Sequence, residues 1–290
     1  MSVVDALVCR RTVVGFDTGC LAVTPVGSGI AGASDGLPKV SVVTVVFNAE
    51  KYLEATICSV LGQDYPHLEY IVIDGGSTDG TLDIVRKYAG RISCWRSEKD
   101  QGIYDAMNKG LRLATGAWIS FMNAGDAFHS ADTLTKVFSV PNNGNTVIYG
   151  GVEIRYPDFK RIEQPGKPAR LWQGMQFSHQ SAFVEVGYHR AHPFNAANRI
   201  AADLEFFYQA YLVGAGFLRT EQIVSSVLTG GLSEGNRVRT ILASRDAVCR
   251  GRMRPLIRLY FWGRVINSVF RSTIKRLLPA SLVKKMIMLK

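Results

Sequence analysis

From Lys39 onward, continuous apolar runs alternate with stretches in which apolar residues recur every three or four positions. VSVVTVVFN (40–48) is an almost unbroken β-branched run, the pattern of a strand covered on both faces. A helical period follows in AEKYLEATICSVLGQ, with Leu53, Ile57, Val60 and Leu61 on one side and Gly62 near the stop. LEYIVIDGG predicts a second strand, and TDGTLDIVRKYAG a second helix that turns Leu82, Val85 and Tyr88 inward. ISCWRSE reads as a short third strand, GIYDAMNKGLRLATG as a third helix and AWISFMNAGD as a fourth strand. Farther on, NTVIYGGVEI and SAFVEV look like strands, DLEFFYQAYLVG like a helix, and GFLRTEQIVSSVLTGG returns to strand character.

Strands alternating with helices at this spacing imply a parallel sheet covered on both sides. Ligands of such sheets sit beyond the carboxyl ends of the strands. The segments expected there are Phe47-Asn48, Asp74–Asp79, Glu98–Gly102 and Asn123–Asp126. All are polar, and their convergence is the first sign of a site.

The IVIDGGSTDGT stretch narrows the ligand. A dinucleotide site wants G-x-G-x-x-G at the first strand–helix turn, where the backbone closes on a pyrophosphate; here that turn is FNAEKY, without glycine. Gly75 and Gly80 have the spacing of a phosphate-cradling loop, but Thr81 stands where its lysine belongs. A carboxylate at a strand end, Asp74, suits a base or ribose better, because it accepts N–H and O–H donors.

Composition and charge change the picture in one place. The 290 residues are 47% hydrophobic and 20% charged, enough for a sizeable core. The net charge of +10 looks like a nucleic-acid signature until it is located. Beyond Asp246 there are eleven basic residues and no acidic one. The other 23 basic residues face 24 acidic ones, so the body is about neutral. With the excess confined to a tail lacking aromatic stacking motifs, nucleic acid is excluded as a partner. The five cysteines are widely spaced without a Cys-x-x-Cys pair, which argues against a disulfide framework or zinc site and for reduced thiols. No continuous apolar stretch of signal-peptide length opens the chain, and none reaches the ~20 residues of a membrane span.

The segments SVVTVVFNAEKYLEATICSVLGQDYPHLEYIVIDGGSTDGTLDIVRKY and DQGIYDAMNKGLRLATGAWISFMNAGDAF closely resemble family 2 glycosyltransferases. The nearest likeness is to bacterial members of colanic-acid-type polysaccharide assembly. It is dense over residues 39–130 and thinner over 175–235, at FSHQSAFV, IAADLEFF and TGGLS. The resemblance implies an α/β GT-A fold: a Rossmann-like, mostly parallel central sheet covered by helices. It also implies an inverting transferase that uses a nucleotide-sugar donor and a divalent metal, Mg²⁺ or Mn²⁺, on a glycan or lipid-linked acceptor. The chain then divides into a poorly ordered leader (1–36), a catalytic domain (37–246, donor half 37–130 and acceptor half 131–246) and a basic helical tail (247–290). A non-catalytic relative that keeps the fold as a binding module, or another nucleotide-dependent α/β enzyme, is the alternative.

Each candidate residue has a plainer reading beside the functional one. Asp74 and Asp79 are ordinary turn formers; the resemblance places Asp74 on the nucleotide, together with Phe47, Asn48, Glu50 and Ser77. Where the family has a second strand-end Asp, this chain has Gly75. Asp100, Asp105 and Asn108 are by themselves surface polars on the third turn and its helix, and the motif match sets them against the nucleotide or donor sugar. FMNAGDAF stands where the family places its metal-binding Asp-x-Asp, with Asn123 and Asp126 remaining. One carboxylate can suffice for magnesium when phosphate oxygens and waters complete the octahedron, so Asp126 is the expected ligand and Asn123 a donor contact. His179 and Gln180 are moved by resemblance toward the acceptor or diphosphate. Asp203, at the start of an apolar helix, suits an N-cap, and it matches the carboxylate that takes the acceptor's proton. His189 and His192 have a metal-like i, i+3 spacing but sit in a proline-containing stretch and read as structural.

If 254–278 is helical, Arg254, Arg258, Arg264, Arg271, Lys275 and Arg276 fall within an arc of roughly 140°, with Leu256, Leu259, Ile266, Phe270, Ile274 and Leu277 opposite. That pattern fits either a helix packed on the body with a solvated basic side, or an interfacial helix on an anionic membrane. The second reading places the protein in the cytoplasm, peripheral on the inner face of the cell membrane.

Overall fold

A computed structural model describes residues 36–229, 237–250 and 254–277. The leader through residue 35 lies outside them, as do most of TGGLS and the last thirteen residues.

The strands are β1 (Val40–Val46), β2 (Leu68–Asp74), β3 (Cys94–Ser97), β4 (Trp118–Phe121), β5 (Ala127–Phe128), β6 (Val147–Arg155), β7 (Lys160–Glu163), β8 (Ala182–Glu185) and β9 (Phe217–Leu228). They join in one sheet of order β3-β2-β1-β4-β8-β6-β9-β5, with β7 on β6. The first four are parallel to one another; β8 is antiparallel to both β4 and β6, so the direction changes there. Helices α1 (Glu50–Leu61), α2 (Thr81–Tyr88), α3 (Ile103–Leu113), α4 (Thr133–Phe138), α5 (Val186–Ala191), α6 (Ala202–Leu212), α7 (Arg237–Cys249) and α8 (Pro255–Leu277) cover it.

The unbroken apolar runs end up buried on both faces, as their composition predicts. Val43 and Val45 of β1 face a core that includes Met107, Leu111, Phe206 and Phe207; Val40, Val42 and Val46 face Leu53, Ile57 and Val85 on the other side. Val85 is the one fully buried apolar residue of α2, while Leu82 and Tyr88 are half-buried. Gly110 lets α3 settle on β1: a Cβ there would collide with the Val43 side chain. Burying such runs contributes about 25 cal/mol per Å² of apolar area.

His189 sits in the aromatic core. Its ring stacks on Phe206 with centroids 4.3 Å apart and meets Phe194 edge-on at 4.6 Å, and neither nitrogen has a hydrogen-bond partner among the described residues. Burial lowers its pKa from 6.5 to about 4. The unfolded chain therefore takes up a proton first as pH falls. Stability is full above pH 6.5 and declines toward pH 4, by on the order of 3 kcal/mol from this group. In urea titrations across that window, His189→Phe should flatten the decline; an unchanged slope would contradict this account.

The expected boundary at 246/247 falls inside α7, whose Ala247 and Val248 belong to the core, as does Phe261 of α8. The tail is therefore fastened to the body. The side that fastens it carries Phe261 together with Arg254 and Arg264, so these two arginines do not lie on a solvated face, whereas Arg258 is exposed. Arg254 donates to the Tyr208 hydroxyl, with its guanidinium 5.8 Å from that ring, and Arg264 donates to the Gln173 carbonyl. The helix therefore docks through Phe261 and these two guanidinium groups, and turns Leu256, Leu259, Ile266 and Phe270 outward.

Candidate active site

The carboxyl ends of β1, β2, β3 and β4 carry the polar turns. The turn after β2 is organised from within. Asp74 is fully buried, and its carboxylate accepts from the Gly76 and Ser77 amides (3.1 and 3.0 Å), the Ser77 hydroxyl (2.5 Å) and the Ser97 hydroxyl (2.6 Å). The geometry thus gives Asp74 and Ser77 a turn-forming part. Asn48 and Glu50 clasp the same turn: Asn48 Oδ1 accepts from the Thr78 amide (2.8 Å), and Glu50 Oε2 accepts from the Gly80 amide (2.8 Å). Asp79 returns the clasp by accepting from the Glu50 amide (3.2 Å). Phe47, 61% exposed, stands free beside Gly75 as an aromatic face.

Gly75 explains itself in three dimensions. A Cβ there would overlap the Asp100 carboxylate, which occupies the room that a side chain at 75 would need. Asp100 also accepts from the Gly102 amide (2.9 Å) where the chain enters α3. The Asp100 carboxylate of the neighbouring turn thus stands beside position 75.

Asp105 accepts from the Gln101 amide (3.1 Å) and lies 3.6 Å from Lys109. Asn108, expected against the donor, is engaged elsewhere. Its amide donates to the Phe194 carbonyl (2.8 Å) and accepts from the Phe194 amide (3.0 Å), which pins the chain after α5. Asp105 and Asn108 share a helix face, but Asn108 acts on protein backbone.

The two halves meet around His179 and Gln180, in a short 3-10 turn before β8. His179 Nδ1 lies 3.3 Å from Asp203 Oδ2, and its Nε2 lies 3.1 Å from the Asn123 amide nitrogen. With that amide assigned as the donor, the imidazole proton sits on Nδ1 and is given to Asp203. Gln180 donates to Asp126 Oδ2 (2.7 Å) and accepts from the Ser178 hydroxyl. Two adjacent residues thus hold the two carboxylates of interest.

Asp203 lies one residue inside α6; the N-cap position is Ala201, so the expected capping role falls away. Its Oδ1 accepts from the Leu204 amide (2.8 Å) and from the Tyr104 hydroxyl (3.0 Å). Burial is the largest influence on its pKa and pushes it up. The His179 hydrogen bond, the Leu204 amide and the Tyr104 hydroxyl more than offset burial, holding the carboxyl below its ordinary value. Asp203 is ionised at neutral pH.

Asp126 differs. Burial raises its pKa despite the Gln180 hydrogen bond. Thr56 of α1 shapes its turn, donating to the Asp126 carbonyl (2.7 Å) and accepting from the Gly125 amide (3.0 Å). Asn123 Oδ1 is buried without a partner among the described residues. Among the described residues no three His, Cys, Asp or Glu side chains gather as a metal cage. One carboxylate and one orphaned amide oxygen are the donor set of a hard cation that takes its other ligands from phosphate and water. The residues fit such an ion. Thr56 and Tyr104 lie within the segments that carry the resemblance but have no role assigned by it, and the fold brings them to the site.

The protein-family model described as Glycosyl transferase family 2 matches residues 41–207, more than half of the chain. The chain belongs to glycosyltransferase family 2. This glycosyltransferase is 33% identical over 204 residues to a PGL/p-HBAD biosynthesis glycosyltransferase of Mycobacterium bovis, covering 68% of this chain and 79% of the relative. Its fold is similar to that of S. aureus TarS residues 1–349 in complex with UDP-GlcNAc (TM-score 0.57, 17% identity, 80% of this chain and 73% of that one). It is also similar to the mannosyltransferase PcManGT of Pyrobaculum calidifontis in complex with GDP-Man and Mn²⁺ (TM-score 0.58, 18% identity, 79% and 69%). Against the longer TarS chain, the glycosyltransferase spans 43% of its length.

Proposed function

We propose that this glycosyltransferase moves a sugar from a nucleotide-sugar donor to a glycan or lipid-linked acceptor with inversion, in cell-envelope polysaccharide or glycolipid synthesis. The observation that carries the reading is the adjacent pair His179 and Gln180, which joins Asp203 on one side to Asp126 on the other. Asp203, ionised and oriented by His179 and Tyr104, accepts the acceptor hydroxyl's proton as that oxygen attacks the anomeric carbon. The bond from that carbon to the diphosphate breaks, and the nucleoside diphosphate leaves. A single carboxylate serves as base in this scheme. The relatives' names support the class of donor and acceptor: a PGL/p-HBAD biosynthesis enzyme, and structures solved with UDP-GlcNAc and GDP-Man.

Asp126, with Asn123 Oδ1, would hold Mg²⁺ or Mn²⁺. The ion would supply positive charge to the departing diphosphate. Phe47 and Asp100 flank Gly75, where an aromatic face and a carboxylate can receive a nucleobase; Asp105, in the first turn of α3, is the donor-side acid of the next turn. Asn48, Glu50, Asp74 and Ser77 act by shaping the loops around it. The setting we propose is the cytoplasmic face of the cell membrane, with the protein held peripherally.

A thermal-shift screen against UDP-, GDP- and dTDP-sugars, with and without Mg²⁺ or Mn²⁺, tests this. One nucleotide series should raise the unfolding temperature, and only with the metal present. If no nucleotide sugar stabilises the protein under either condition, the donor reading fails.

A further inference from the structure

The outward side of α8 is unusual for a protein surface. Leu256, Leu259, Trp262, Ile266, Val269 and Phe270 are 80, 69, 54, 67, 52 and 63% exposed. At 100° per residue they share one stripe about 140° wide. An apolar stripe of this size marks an interaction site. No described residue covers it, because the opposite side of α8 is the docked one: Phe261 is buried, Tyr260 meets Trp172 at 5.1 Å, and Arg254 and Arg264 bond to α6 and to the 168–173 turn. No helix among the described residues is long and apolar enough to cross a membrane. The chain around it has eleven basic residues and no acidic one after Asp246, and Arg258 is exposed at the edge of the stripe. An apolar face carried by a stretch of chain that is basic and free of acidic residues, with Arg258 at its edge, is complementary to one class of partner, an anionic lipid surface.

We infer that α8 lies in the plane of an anionic bilayer with the Leu256–Phe270 stripe inserted among the acyl chains, its opposite face remaining fastened to the catalytic unit. The inference differs from a swinging basic tail in two ways. Arg254 and Arg264 face the protein and bond to it, and the salt-resistant part of binding comes from the stripe. The anchor is also rigidly coupled to the chemistry: Arg254 grips Tyr208 of α6, the helix that carries Asp203 in its first turn. Inserting α8 therefore sets how α6 and its carboxylate sit over the membrane. The inference rests on the proposed function only in that a lipid-linked acceptor would be met there; lipid binding itself needs no sugar transfer.

The test uses the full chain and vesicles of equimolar phosphatidylcholine and phosphatidylglycerol, with phosphatidylcholine alone as control. The protein should sediment with the anionic vesicles, and raising salt should release it only in part. The Leu259→Glu/Ile266→Glu double variant should bind at least about tenfold more weakly while its unfolding temperature is unchanged. Point variants are preferable to truncation, because deleting α8 also removes Phe261 from the core. Anionic vesicles should shift the intrinsic fluorescence to the blue, and Trp262→Phe should abolish that shift although three other tryptophans remain. The inference is overturned if the double variant and the parent pellet alike, if neither pellets, or if high salt alone removes all binding. It is equally overturned if the parent is a dimer that the double variant dissociates while neither binds lipid, since the stripe would then join two copies of the chain.

Discussion

Asp203→Asn is expected to bind the donor as the wild type does and to lose transfer by about 10²–10⁴-fold. The substitution keeps the shape of the side chain. An amide oxygen can still accept from the Leu204 amide and the Tyr104 hydroxyl, so the first turn of α6 and its contact with α3 persist. What is lost is the negative charge and the ability to take a proton. Because the carboxyl is held below its ordinary value, the wild type stays ionised from neutral pH down to the usual carboxylate range, and an acid limb from this group appears only below it. Donor affinity by thermal shift, beside single-turnover transfer, separates binding from chemistry. Normal turnover in Asp203→Asn would remove the base assignment. Glu205, the next acid on α6, is a poor replacement: it is buried, pairs with Arg250 at 2.6 Å and receives hydrogen bonds from Asn195 and Asn198. A substrate-assisted route would then be the better explanation.

The central sheet was legible because its determinants are local. A run such as VSVVTVV can only be a strand buried on both faces, and the period of IYDAMNKGLRL gives one buried side with Gly110 where α3 meets β1. The polar residues at the strand ends were legible as a group. Their individual parts were not, because a side chain's partner is often far along the chain. Tyr104 and Asp203 are 99 residues apart, and Asn108 finds its partner 86 residues away, at the backbone of Phe194. From the sequence, position 75 shows only a glycine where the family has a second strand-end aspartate. In space, the glycine makes room for Asp100. Amphipathic spacing divided α8 into a basic and an apolar side, but could not say which side the body would take. That depended on the Tyr208 hydroxyl and the Gln173 carbonyl lying within reach of two arginines.

Asp126→Ala is expected to abolish the divalent-dependent part of nucleotide binding while the protein stays folded. Burying Asp126 is unfavourable without a cation, as its raised pKa indicates, so removing the carboxyl should leave the ligand-free protein no less stable. Its turn should survive, because Thr56 holds the backbone of residues 125 and 126 and takes nothing from the side chain. A cation reverses this balance: a half-buried carboxylate with few competing donors becomes a strong ligand once a positive ion neutralises it. The wild type should therefore gain thermal stability with nucleotide and Mn²⁺ together, and the variant should show only the small metal-independent gain. Asp126→Asn offers a second measurement. It can keep the Gln180 hydrogen bond through its amide oxygen yet lacks the charge, so it should behave like the alanine variant toward metal. If either variant retains wild-type metal dependence, Asp126 is not the ligand, and its hydrogen bond to Gln180 serves only to fix the turn after β4.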